Sequence, residues 1–177
     1  DAPGPAEFIL PVIPKLHAYR QAGKTYNLKL VTVGKSPTKI LAKYKPIRID
    51  TEDEVKSIYE KINPDALLIA MSSLVTGPYV NPKFTELAHR DGKKIICFQD
   101  LWGNHRWSNN LKVMKYWDAI LTLDELGKKL ILEDDYKGKV YTTGSPAFDR
   151  FRGIDTAKER RRLRKKFHIP ENAFVIF

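Results

Sequence analysis

Residues 99–107 (QDLWGNHRW) concentrate side chains that could carry out chemistry, directly after an apolar run. A carboxylate, an imidazole, a guanidinium and two indoles lie within these nine residues. Asp100 could act as a general base or orient a catalytic His105, and the indole of Trp102 could stack on a sugar ring or a nucleobase. The segment offers two further substrate-binding side chains, Asn104 and Arg106. The structural alternative is an aspartate that caps the next helix, with tryptophans packed in the core.

Small residues open the chain in the segment DAPGPAE, residues 1–7, ahead of a predicted helix. Gly4 would let a ligand approach the backbone, and a helix N-terminus attracts anions. Glu7 is a second candidate for the general base, and the choice between Glu7 and Asp100 stays open. An ordinary turn is the alternative interpretation of this segment.

Hydroxyl groups and glycines follow two other apolar runs. Residues 72–78 (SSLVTGP) could hydrogen-bond a polyol or a phosphate, and residues 143–150 (TGSPAFDR) begin with a tight turn. The candidate binding residues of these two segments are Ser72, Ser73, Thr76, Gly77, Gly144 and Ser145. A plain loop is the alternative for both segments, and Gly77 is not part of a P-loop sequence.

Other titratable residues favour structural roles. Asp124 and Glu125 close an apolar run, where capping of the next helix explains them best. The four histidines show no metal-ligand spacing, and Cys97 is the one cysteine of the chain. We therefore expect neither a metal ion nor another cofactor. The lone cysteine also gives no support to a secreted, disulfide-bridged protein.

The charge of the chain is unevenly distributed. Its 177 residues carry 31 Lys and Arg against 21 Asp and Glu, a net charge of +10. Residues 150–166 hold nine basic and two acidic residues, and therefore account for seven of the ten surplus charges. Hydrophobic residues make up 42% of the chain, and no apolar run approaches the ~18 residues of a membrane span, so the composition argues against a disordered or membrane-spanning chain. We expect a cytoplasmic protein.

Short apolar runs alternate with amphipathic stretches along the chain. We predict strands at residues 28–33, 47–49, 66–71, 95–98, 119–123 and 140–142. The run ALLIAM at residues 66–71 has no polar alternation, as expected for a strand that is covered on both faces. This order predicts an α/β protein with a Rossmann-like parallel sheet of about six to seven strands and helices on both faces. Ligands bind at the carboxyl ends of such strands, where most of the polar segments lie.

Capping residues, glycines and prolines predict where the helices begin and end. We predict caps at three helix starts: Thr51 with Glu54, Asn81 with Pro82, and Thr156 with Glu159. Gly92 should end the helix that starts near residue 81. Residues 5–22 have apolar residues at helical spacing and predict the first helix. Pro11 and Pro14 lie inside this range and predict that the helix starts late or is kinked.

A family resemblance is carried by four segments: GPAEFILPVIPKL (4–16), PDALLIAMSS (64–73), TTGSPAFDRF (142–151) and ERRRLRKKFHIPENAFVIF (159–177). In this order and spacing they resemble the N-terminal domain of GT-B-type glycosyltransferases and of their relatives, the nucleotide-sugar 2-epimerases. The resemblance covers nearly the whole chain. It implies an acceptor-side domain at residues 1–150, a basic linker helix at 151–170, and the start of a truncated C-terminal domain at 171–177.

The resemblance also implies that parts of the site lie outside this chain. The first strand would precede Asp1, and the nucleotide-sugar donor would bind mainly to the absent C-terminal domain, so the fragment should be inactive alone. Residues 71–73 (MSS) stand where 2-epimerases carry a His-Gly-Asp-Thr segment, which weakens the epimerase interpretation. Residues 3–5 (PGP) stand in place of a glycine-rich loop, which leaves the acceptor unidentified.

The leading hypothesis is the acceptor-binding domain of a glycosyltransferase in cell-envelope or glycolipid synthesis. The partners would be a nucleotide-sugar donor and a hydroxyl acceptor, which could be linked to a lipid. Positive groups and helix dipoles would stabilise the leaving diphosphate, so that no metal ion is required. A sugar-nucleotide 2-epimerase on the same fold is the first alternative. The second is a polyanion-binding module that acts through the basic helix at residues 156–167. Residues 156–166 could also rest on an acidic membrane surface, whereas we do not expect nucleic acid as a partner.

Overall fold

Strands and helices alternate along the chain in a computed structural model, which describes residues 3–18, 20–21, 24–25, 27–71, 80–107 and 109–175. The strands are β1 (Arg20–Gln21), β2 (Lys24–Thr25), β3 (Val31–Val33), β4 (Ile47–Ile49), β5 (Ala66–Ala70), β6 (Lys94–Phe98), β7 (Ala119–Thr122) and β8 (Lys139–Thr142). The helices are α1 (Pro3–Ile9), α2 (Val12–Ala18), α3 (Lys35–Ile40), α4 (Glu54–Ile62), α5 (Val80–Arg90), α6 (Asn110–Val113), α7 (Glu125–Glu133) and α8 (Thr156–Lys166). Short 3-10 turns span Ala42–Tyr44, Asn104–Arg106, Met114–Tyr116 and Pro146–Phe151.

Six of the strands form two parallel sheets. One sheet pairs β3 with β4, and the other has the order β5-β6-β7-β8. The predicted α/β class, with parallel strands and interleaved helices, is confirmed. The prediction of one sheet is wrong in detail, because the hydrogen bonds divide the six strands into a pair and a group of four. In the part of the chain that the structure describes, β3 is bonded to β4 alone and β5 to β6 alone, and the strand expected before Asp1 stays a prediction.

One hydrophobic core joins both parallel sheets to helices α4, α5 and α7. Its completely buried aliphatic side chains are Ile49, Val55, Ile95, Ile120 and Ile131. Each such side chain contributes about 1.5–3 kcal/mol through removal of apolar surface from water. A smaller cluster of Ala6, Ile13 and Leu41 joins α1 and α2 to the region of α3.

Helix α1 is held on the end of β6 by an aromatic contact. The rings of Phe8 and Phe98 meet edge to face with 5.6 Å between their centroids, a favourable geometry for aromatic pairs. Helix α1 ends at Ile9, and α2 begins only at Val12, so the kink predicted from the prolines is a complete break. Pro11 has no N–H to donate, which explains why the helix stops there.

Two predicted helix caps are wrong by one residue or more. At α8, Asp155 is the cap, because its Oδ1 accepts the N–H of Lys158 at 2.9 Å, and Thr156 is already helical. At α5, the helix begins at Val80, and Nδ2 of Asn81 donates to the carbonyl of Ala70 at 3.2 Å. The Asn81 side chain therefore ties the start of α5 to the end of β5.

Other predicted caps are confirmed in whole or in part. Asp124 caps α7 by accepting the N–H of Gly127 at 2.9 Å. Before α4, Glu54 Oε2 accepts the N–H of Thr51 at 2.9 Å, but the Thr51 hydroxyl donates to the same carboxylate. Of the predicted cap, only the bond in which the Glu54 carboxylate accepts from the backbone of Thr51 is formed. Helix α5 ends before Gly92, as predicted.

Two predicted strands are shorter or more exposed than expected. The strand predicted at residues 28–33 is shortened to the three residues of β3. Its partner β4 begins directly after Pro46, which has no N–H to donate, so the pairing of the two strands does not extend further back. In β5, Leu68 keeps 37% of its surface exposed, and Ala66 is also exposed. The expectation that both faces of this strand are covered is therefore wrong for its first half.

The chain divides into two compact units, residues 1–147 and 148–177. In the second unit, α8 places exposed basic side chains on its surface, whereas Arg164 is buried and its guanidinium donates to the carbonyls of Pro170 and Ala173. Residues 173–175, part of the apolar run at the end of the chain, form no strand. The predicted domain limits at residues 150 and 170 stay predictions.

Candidate functional site

The carboxyl ends of β6, β7 and β8 meet at one edge of the four-stranded sheet. The ladder continues one residue past β6, where the N–H of Gln99 donates to the carbonyl of Leu121 at 2.9 Å. Three polar residues then follow the three strands: Asp100, Asp124 and Thr143. Parallel pairing thus brings the segment at residues 99–107 and the start of α7 to the same edge.

A chain of buried hydrogen bonds runs through Gln99. Thr122 Oγ1 donates to Gln99 Oε1 at 2.5 Å, and Gln99 Nε2 lies 2.9 Å from His105 Nδ1. All three side chains are completely buried. Because the hydroxyl occupies the Gln99 oxygen, the Gln99 amide nitrogen must donate to the imidazole, and Nδ1 of His105 is the acceptor. The network therefore assigns the neutral His105 tautomer with its proton on Nε2.

The other ring nitrogen of His105 is occupied as well. Nε2 lies 2.8 Å from Oδ2 of Asp134, and Arg106 Nε donates to the same oxygen at 2.6 Å. Burial lowers the pKa of His105, against the smaller opposite effect of Asp134. The Arg106 guanidinium in turn lowers the pKa of Asp134. This geometry gives His105 and Arg106 a positioning role, in which they fasten the loop to the end of α7, and their predicted contacts with substrate stay predictions.

Gly127 makes room for this network in the first turn of α7. A Cβ at this position would lie 2.2 Å from Thr122 Oγ1 and 2.9 Å from Gln99 Oε1. Thr122 is completely buried, and its hydroxyl group is bound to Gln99. Helix α7 can approach β7 this closely because residue 127 has no side chain.

Asp100 differs from its neighbours because its half-buried carboxyl remains at the sheet edge. Asn104 Nδ2 donates to Asp100 Oδ1 at 2.7 Å, while Oδ2 lies 3.1 Å from the place that a Cβ would take at Gly4. Any larger residue at position 4 would crowd the carboxylate. Burial raises the pKa of Asp100, more than its hydrogen bonds from Asn104 and its own backbone lower it. The structure therefore brings together two predicted site residues, Gly4 and Asp100, that are far apart in the sequence.

Trp102 is anchored but open to solvent. Its Nε1 donates to Asp124 Oδ1 at 3.0 Å, and 48% of its surface is exposed. The structural alternative for this residue, an indole packed in the core, is therefore wrong. Trp117 instead occupies the core, with its Nε1 donating to Thr85 at 3.2 Å.

The remaining predicted site residues lie apart from this group or outside the described residues. Glu7 is exposed on α1. Gly144 and Ser145 follow β8 and are partly exposed, with Gly144 at a φ of 76°. The predicted residues of the segment at 72–78 fall outside the described part of the chain, and they are Ser72, Ser73, Thr76 and Gly77.

Sequence reasoning did not find three residues on which the site depends: Thr122, Gly127 and Asp134. Each lies more than 20 residues from its partner in the loop, and a threonine in a strand or an aspartate at a helix end carries no local sign of a long-range contact. The one local signal was the glycine in the first turn of a predicted helix, a position that a helix disfavours by about 1 kcal/mol relative to alanine. Such a glycine indicates a close contact of the helix with its neighbour.

The described residues also limit the class of site. No group of three or more His, Cys, Asp or Glu side chains is placed to hold a metal ion in the part of the chain that the structure describes. None of the helices found in those same residues has the length and apolar character needed to cross a membrane. Cys97 is buried, and burial raises the pKa of its thiol far above the usual range.

The fold places this chain in the class of parallel α/β proteins. No family model, no curated protein and no solved structure matches the chain. Its function is therefore argued from the sheet edge itself.

Proposed function

We propose that this chain is the acceptor-binding domain of a glycosyltransferase, with Asp100 as the general base. The proposal includes a Rossmann-like arrangement of the two parallel sheets and a further domain that binds the nucleotide-sugar donor. The observation that carries it is the Asp100 carboxyl, which is half-buried at the carboxyl edge of a parallel sheet, where ligands of such sheets bind.

The surroundings of Asp100 suit a base. Because burial raises its pKa, Asp100 binds a proton more strongly than an ordinary aspartate does. Asn104 fixes one carboxylate oxygen, and the small Gly4 leaves the other oxygen near the backbone of α1. One oxygen is thus used for positioning, and the second is the proposed proton acceptor.

The proposed reaction couples a proton transfer to a displacement at carbon. Asp100 takes the proton of an acceptor hydroxyl while that oxygen attacks the anomeric carbon of the donor sugar. The bond between the anomeric carbon and the diphosphate oxygen breaks, and the nucleoside diphosphate leaves with the bonding electrons. Glu7 is the weaker candidate for this step, because it is exposed on α1 without comparable burial.

The test compares two carboxyl-to-amide variants of the polypeptide that contains this chain. Asp100→Asn keeps an oxygen that can accept from Asn104, and we expect it to lower kcat for sugar transfer by about 10²–10⁴-fold without changing the melting temperature. Glu7→Gln is the matched control, and it should leave kcat within about twofold. Unchanged turnover in Asp100→Asn removes Asp100 from the mechanism, and a loss confined to Glu7→Gln transfers the role to Glu7. Product analysis separates transfer from epimerisation, which returns an altered nucleotide sugar without an acceptor.

Binding of a polyanion through α8 stays a second candidate. The observation in its favour is a row of basic side chains that are exposed on this helix: Arg160, Arg161, Arg162, Lys165 and Lys166. An acidic membrane surface would meet the same charges.

A further inference from the structure

Trp102 combines a fixed orientation with an open surface. Its Nε1 donates to Asp124 Oδ1 at 3.0 Å, and that oxygen also accepts the N–H of Gly127 at 2.9 Å. The indole is therefore tied to the first turn of α7 through the residue that caps this helix. A large aromatic side chain that is 48% exposed gains little from burial, so packing alone does not account for this arrangement.

Three carboxylates follow the two strands whose loops hold Trp102. Asp100 follows β6, and Asp124 and Glu125 follow the adjacent strand β7. Neighbouring strands lie about 4.8 Å apart, a spacing close to the width of one sugar ring. The guanidinium of Arg106, in the same loop, is bound to Asp134. These carboxylates favour ligands that donate hydrogen bonds, such as hydroxyl groups, over phosphates.

A second observation concerns Asn104, which positions the Asp100 carboxylate at this edge. Asn104 is completely buried, and its Oδ1 has no hydrogen-bond partner among the residues that the structure describes. The Nδ2 of the same amide holds the Asp100 carboxylate. A buried acceptor without a donor costs about 1–3 kcal/mol, so Asn104 holds the Asp100 carboxylate in place at a cost to the stability of the fold.

We propose that Trp102 is a stacking platform for a neutral sugar ring, and that the carboxylates of Asp100 and Asp124 accept hydrogen bonds from its hydroxyl groups. The apolar C–H face of a pyranose covers the indole, while its polar rim meets the carboxylates. This inference rests on the proposed function and identifies its acceptor as a saccharide. A nucleotide is disfavoured because its phosphates would face the carboxylates.

The test titrates the chain with a panel of neutral methyl pyranosides and disaccharides, and separately with UDP and with inorganic phosphate. Binding is followed by tryptophan fluorescence and by saturation-transfer NMR. We expect neutral saccharides to bind, and Trp102→Ala to weaken their binding by about tenfold. Trp107→Ala is the matched control, because Trp107 lies in the same loop with 42% of its surface exposed, and it should leave affinity unchanged.

A third variant tests the anchor. Asp124→Ser keeps an oxygen that can cap α7 but is too short to reach the indole, so we expect it to weaken saccharide binding by about threefold. Melting temperatures of all variants show whether the fold is intact, and Trp102→Leu, which has no aromatic face, replaces Trp102→Ala if the alanine variant unfolds.

The outcomes separate this inference from the proposed function. The platform is overturned if no saccharide of the panel binds the wild-type chain, if Trp102→Ala binds as the wild type does, or if UDP binds through Trp102 instead. Saccharide binding that needs Trp102, in a polypeptide that transfers no sugar, upholds the platform and rejects the glycosyltransferase. Transfer that needs Asp100, with an unchanged acceptor KM in Trp102→Ala, upholds the enzyme and rejects the platform.

Discussion

The loop at residues 99–107 and helix α8 both concentrate polar and charged side chains, but they use them differently. In the loop, side chains reach partners that are 22–29 residues away, at Thr122, Asp124 and Asp134. In α8, the hydrogen bonds of Asp155 and Glu159 stay within three residues. The basic side chains of α8 are mostly exposed, whereas His105 in the loop is completely buried.

The difference shows that the density of reactive residue types does not by itself define a site. A buried hydrogen bond in the loop is costly to lose, because water cannot reach the donor and the acceptor to replace the missing partner. An exposed charge on α8 is screened by solvent and contributes little to stability. Arg164 is the exception in α8, since its buried guanidinium binds the carbonyls of Pro170 and Ala173 and organises the end of its own unit.

Removal of one side chain from each region should give the largest contrast. His105→Ala deletes a buried ring, leaves Gln99 Nε2 without its acceptor and removes one of the groups bound to Asp134, so we expect a loss of about 3 kcal/mol in the free energy of unfolding. Arg160→Ala in α8 removes an exposed charge and should change that free energy by less than about 0.5 kcal/mol. Urea unfolding of the two variants measures both values. Equal losses would abolish the distinction between the two regions.

Acidification should weaken the loop in a milder way, because it disturbs one bond of the network and deletes no atoms. The pKa of His105 is lowered in the folded chain, so the unfolded chain takes up a proton that the folded chain resists. The contribution of neutral His105 is therefore intact above about pH 6.5 and is lost as the pH falls below that value. Urea unfolding at about pH 7 and about pH 5 should show this loss.

A His105→Gln variant is the control for that pH dependence. Its amide offers one acceptor and one donor, as the neutral ring does, and it does not titrate. Asp134 titrates below this pH range because its pKa is lowered from 3.8, and Asp100 is present in both proteins. If the two proteins lose stability in parallel, His105 is not the group responsible.

The smallest expected effect concerns the start of α8. Asp155→Ala removes the observed cap and should cost about 1 kcal/mol of helix stability, seen as faster amide exchange in the helix. Thr156→Ala should cost nothing, because alanine is the better helix former at a position that is already helical. A larger loss of stability in Thr156→Ala than in Asp155→Ala would show that Thr156 is the cap, as the sequence predicts. Asp155→Ser, which keeps an acceptor, should match the wild type.

Much of the fold could be predicted because its signals are local. The apolar runs at β4, β6, β7 and β8 appear as parallel strands within one or two residues of their predicted limits. The cap at Asp124 and the break near Pro11 follow from side-chain chemistry over a few residues. The division of the strands into two sheets could not be predicted, because strand pairing is decided between residues that are distant in the chain.

The candidate site was predicted only in its composition. The sequence by itself determined an α/β chain of alternating strands and helices and a polar loop after β6, since periodicity and residue type act locally. Only the tertiary structure decided which loop residues face inward. It set His105 against Gln99 and Asp134, Gly4 beside Asp100, and Trp102 against Asp124. The physical reason is that burial and long-range hydrogen bonds depend on which elements pack together, and no local pattern records that packing.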